Sequence, residues 1–181
     1  NTSGGGLRFF LVVALALGLL LFGCASSKDK TAVSDSTIND FNIYANQLNA
    51  DRSALADAGT AYSAEADVFN SEKSVAGKTA SLSNLIDKGS TYYTKAEIFN
   101  EHNNQFEQFV NQNEAALKAA GINTAQVKLD IAERRVQIKQ SSSSIATSLQ
   151  QAQNIIEQQT QLEQQKREGL MTLIKLLMGL G

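Results

Sequence analysis

From Ile38 onward, apolar side chains recur with a seven-residue period. Phe41, Leu48, Leu55, Tyr62 and Phe69 are each seven apart, and Ile38, Ala45, Arg52, Gly59 and Ala66 stand three residues before them. On an α-helix that spacing puts two rows on one face, one of large side chains and one mostly small. A second run repeats the scheme, with Leu85, Tyr92, Phe99 and Phe106 in the large row and Leu82, Gly89, Ala96, Asn103, Val110 and Leu117 in the other. Six of the nine aromatics after residue 23 fall in the large rows, where they form the seam. A third run carries Val127, Ile131, Ile138, Ile145, Leu149, Ala152 and Ile156 at spacings of three, four or seven. With no proline in the chain, nothing interrupts long helices, and the few Val and Ile argue against sheet. The fold expected is all-α: an N-terminal apolar helix, then an elongated antiparallel three-helix bundle over 37–168, a coiled-coil-like hairpin plus a third long helix. Its helices are expected near 37–75, 80–119 and 123–168.

The first two runs are copies. Residues 53–70 and 83–100 share eight identities and three conservative pairs in eighteen positions, which points to a duplicated helix. Thirty residues at 100° each leave the copies about 120° apart on one straight helix, so a break must separate them. Gly77 is the expected break, as a left-handed cap, with Thr79 or Ser81 capping the next helix. Folding back there pairs Phe69 with Leu85, Tyr62 with Tyr92, Leu55 with Phe99 and Leu48 with Phe106, and sets Ala66 near Gly89 and Gly59 near Ala96. Gly121, followed by Asn123 and Thr124, is the second expected turn. Ser141 to Ser144 weaken helix propensity and suggest a softer turn, while Ile155, Ile156 and Leu162 keep the Gln-rich stretch 150–165 helical.

Upstream, Arg8 precedes fifteen residues, Phe9 to Gly23, without a polar side chain. This has the form of an export leader and is short for a membrane span, which needs ~20 apolar residues. It ends Leu21, Phe22, Gly23, Cys24, and these residues resemble the lipobox of bacterial and archaeal lipoproteins, although Phe22 is bulkier than that position usually carries. The resemblance implies cleavage before Cys24 and lipid on its sulfur. Cys24 is the only cysteine, and acylation would protect a thiol with no intramolecular partner. An uncleaved signal anchor is the alternative. Residues 1–23 are thus read as leader, 24–36 as a small, polar tether, and the protein as anchored on the extracytoplasmic face of the cell membrane or outer membrane. The repeat and the polar helices resemble those of prokaryotic lipoproteins, without indicating one family.

Sixteen basic and eighteen acidic residues, mixed along the chain, give a net charge of −2. That is no footprint for nucleic acid. His102 is the only histidine, expected as a solvated side chain on a heptad flank, and no metal site or cofactor is expected. Gly77-Lys78-Thr79 echoes the end of a phosphate loop, but Glu72 stands where its first Gly belongs and no strand precedes it. Asp57 and Asp87 read as a solvated face rather than an acid–base pair, so no enzyme is expected. The apolar tail, 169–181, carries Leu170, Leu173, Ile174 and Leu177 as candidate partner-binding residues, projecting by up to ~20 Å from near Arg167 or folding over the end of the bundle. The function expected is that of a structural spacer or assembly module, contacting a membrane and a protein partner or sister copy. The alternatives are a ligand-binding or sensor module at the Tyr62/Tyr92 layer and a self-assembling, uncleaved membrane protein.

Overall fold

The computed structural model describes residues 35–178, so the leader and the lipobox residues Leu21, Phe22, Gly23 and Cys24 lie outside the described residues. Among the described residues the chain forms four helices and no strand: α1 (Asp35–Ser71), α2 (Val75–Gln112), α3 (Glu114–Ala119) and α4 (Thr124–Leu177). α1 packs along α2, and α4 packs mainly on α2. The large-row residues Phe41, Leu48, Leu55, Tyr62, Phe69, Leu85, Tyr92, Phe99 and Phe106 are all buried and share one core with Val127, Ile131, Ile138, Ile145 and Ala152 of α4.

The first turn lies at Glu72–Ser74 rather than at Gly77. Ser74 is the N-cap of α2, in extended conformation, and its Oγ accepts from Gly77 N–H at 3.0 Å, satisfying one of the helix's orphan donors. Gly77 is therefore in the first turn of α2, and it does not adopt positive φ. A Cβ there would meet the Glu72 carboxylate and Ser74 Oγ, so its smallness lets the Glu72 carboxylate lie at the positive end of the helix. Lys78 completes the corner. Its buried ammonium donates to Phe69 O at 2.8 Å and lies 4.6 Å from the centre of the Phe69 ring. It thereby caps the last turn of α1, which has no basic residue of its own.

This turn moves the register. α1 and α2 are antiparallel, as Phe41 against Phe106, Asp51 against His102, Glu65 against Ser81 and Phe69 against Lys78 require. Phe106, expected opposite Leu48, has its ring 5.2 Å from Phe41 and 5.9 Å from Tyr44. Shifting the fold-back point by three to four residues shifts each facing pair by about seven, the helical period itself. Gly89 likewise faces Tyr62, Ile145 and Leu149, which a Cβ would meet.

α2 is also shorter than expected, stopping at Gln112. Asn113 directs both its backbone N–H and its side-chain Nδ2 at Phe109 O, the local competition that makes Asn unfavourable inside helices. The turn at Gly121 is a Schellman motif: Gly121 has φ 83°, its N–H bonds Lys118 O, and Ile122 N–H bonds Leu117 O. Asn123 then accepts from Gln126 N–H and starts α4. No turn occurs at Ser141 to Ser144, which are helical. α4 is held there from outside, Tyr93 donating to Ser142 O at 2.7 Å and Tyr62 to Ile145 O at 3.4 Å.

Candidate functional site

The shifted register takes Tyr62 and Tyr92 out of the facing positions expected of them, Tyr62 lying at the level of Ile145 and Ser148 and Tyr92 near Ser141, and the core around both is filled. Both rings are fully buried, Tyr92 meets Tyr93 edge-on at 6.5 Å, and burial raises the pKa of all three hydroxyls above the ordinary phenol value. A cavity lies farther along the same groove, lined by Ala66, Asp67, Phe69, Leu85, Ser148 and Ala152, with about 80 Å³ of space. Small-molecule sites hold ~300 Å³ or more, so this one has room for water and little else.

A polar layer crosses the core nearer the start of α1. Asp51 Oδ2 sits 2.6 Å from His102 Nδ1, so His102 is not the solvated side chain expected; the α1–α2 register brings it against a carboxylate that is 11% exposed. Arg52 and Asn103 stand next to this pair, and α4 contributes Asp130 and Arg134. Gln126 Nε2 donates to Asp130 at 2.8 Å. Burial pulls the Arg134 guanidinium below its ordinary pKa, Asp130 opposing that effect and Arg52 adding to it. Asn103 is fully buried. The signal for this layer was two polar residues, Arg52 and Asn103, standing in rows otherwise small or apolar. Its acidic and basic groups balance one another, which suits a structural layer. No group of three or more His, Cys, Asp or Glu side chains among the described residues could hold a metal ion. Asp57 and Asp87 are exposed.

The remaining candidates lie at the end of α4. No described residue of that helix after Ala152 is fully buried; Ile155 and Ile156 pack partly on the core, and every residue from Thr160 to Leu173 is exposed. α4 thus leaves the core near Gln159, about two turns earlier than Arg167, because the turns at Ser74 and Asn113 shorten α1 and α2. It continues for ~27 Å as helix to Leu177 without folding back over the α1–α2 turn. Leu170, Leu173 and Met178 are 59%, 57% and 61% exposed, and Ile174 is half-buried. Leu177 is the last residue of α4. No helix among the described residues is long and apolar enough to cross a membrane. The chain matches no protein-family model, no curated protein and no solved structure.

Proposed function

We propose that this chain is a membrane-anchored, extracytoplasmic helical lipoprotein. Its α1, α2 and α4 act as an elongated antiparallel three-helix bundle that spaces the end of α4 away from the anchor and presents it for interaction or assembly. The observation carrying this reading is the unpartnered extension of α4. α1 and α4 run in the same direction, because each is antiparallel to α2: Tyr93 meets Ser142, while Asn104 and Glu107, later on α2, meet Arg135, earlier on α4. The apolar end of α4 therefore emerges at the pole opposite Asp35, the first residue of α1. A helix that runs past its own core and ends in exposed leucines is built to reach something outside the fold. The filled core around the tyrosines and the balanced polar layer favour this role over ligand binding or catalysis.

The test is intact mass of the protein extracted from membranes of its native host, beside a Cys24→Ser variant. A native chain starting at Cys24 with added lipid mass, and a variant that keeps its leader, are the expected results. An unmodified chain still carrying Phe9 to Gly23 would overturn the lipid anchor and leave that apolar segment as the attachment.

A further inference from the structure

We infer that the exposed end of α4 is itself a membrane-docking element, seating the apolar arc of residues 170–178 in the headgroup region of an anionic lipid surface. This rests on the spacer reading and deepens it, by naming what the presented end touches.

The shape of the arc decides between partners. At 100° per residue, Leu173, Leu170, Ile174, Met178 and Met171 spread over about 160° of the helix, while Lys175, Glu168 and Thr172 share a strip about 60° wide on the other side. A second copy would need a narrower seam, sustained for about three to four heptads. Continued backwards from Leu170, the seam positions are Lys166, Glu163 and Gln159, all polar. Pairing would thus rest on the last heptad alone, from Leu170 and Leu173 onward, and would leave Met171 and Met178 in water. A lipid surface accepts the whole arc. Two turns are far too short to span a bilayer, so the segment lies in the interface.

In the anchored form proposed above the leader is removed before Cys24, and the tether cannot supply the cover: Leu170 stands ~70 Å from Asp35 along the helix axes, whereas residues 24–34 would reach only ~40 Å even if fully extended. Charge placement agrees with lipid. Lys166 and Arg167 precede Leu170 by one turn on the side of the arc, and Lys175 lies in the polar strip. None of the three makes an ion pair among the described residues. Their long stems can run along apolar surface while their charges meet phosphates.

The chain has no tryptophan, so a full-length Leu173→Trp variant carries a single indole. Diluted from detergent onto phosphatidylcholine–phosphatidylglycerol vesicles with brominated acyl chains, it is expected to shift to the blue and be quenched, whereas Val136→Trp on exposed α4 is not. Replacing Lys166, Arg167 or Lys175 by Gln should weaken the quenching-detected partition about fivefold each. Vesicle binding by the Leu173→Trp variant with its indole unquenched would overturn the docking inference and leave the anchored spacer intact. A blue shift without lipid that grows with protein concentration would overturn it in favour of a second copy. Quenching of the same indole in a chain that proves unmodified at Cys24 would support docking while the lipid anchor fails.

Discussion

Asn103 occupies a core position on α2, fully buried, and neither its amide nitrogen nor its amide oxygen has a hydrogen-bond partner among the described residues. Leaving such a group unpaired costs about 1–3 kcal/mol, so Asn103→Leu is expected to raise stability by about that amount in a urea titration. A loss instead would mean that a buried water already satisfies the amide. The compensating role is selection. A polar residue at a core position penalises wrong registers, and here they are close competitors, since a slip of one heptad between two duplicated helices still matches large rows with large rows. The same degeneracy explains what the sequence left open. Which residues of α1 and α2 are buried follows from their spacing; which ones meet does not. His102 is read as solvated from its own helix and becomes the partner of Asp51 only once the register is set.

At the level of elements, the ends of helices were legible where backbone geometry demands a particular residue. Gly121 is such a case, because positive φ excludes most alternatives. The break before α2 depends on a Ser cap and on Lys78 reaching across to α1, and the glycine three residues after Ser74 gave the stronger but misleading signal. The continuity of α4 through Ser141 to Ser144 depends on tyrosines from the other helices, invisible in the local sequence. α3 shows what electrostatics adds at a corner. Glu114 lies 2.7 Å from both Lys118 and Lys128, and these ammonium groups lower its pKa to about 2. A depressed carboxylate stabilises the fold above its ordinary pKa, and that contribution disappears as pH falls toward the depressed value. Exchange of the Leu117, Ala120, Gly121 and Ile122 amides, corrected for intrinsic rates, should therefore accelerate on acidification across that window. Glu114→Gln should exchange at the faster level at every pH. A pH-independent wild type would remove the clamp.

For the whole molecule, the parallel course of α1 and α4 decides how it bears load. Force applied between Ser36 and Met178 slides α1 past α2 and α2 past α4, so many core contacts resist together. Force between Ser36 and Gln112, which lie at the same pole, opens the α1–α2 interface one layer at a time. In optical tweezers the first geometry should rupture at clearly higher force, and equal forces would mean that the helices separate as one unit in both. The antiparallel pairing of both α1 and α4 with α2 thus has a mechanical meaning: tension between the two poles pulls in shear, the loading direction in which side-by-side helices are strongest.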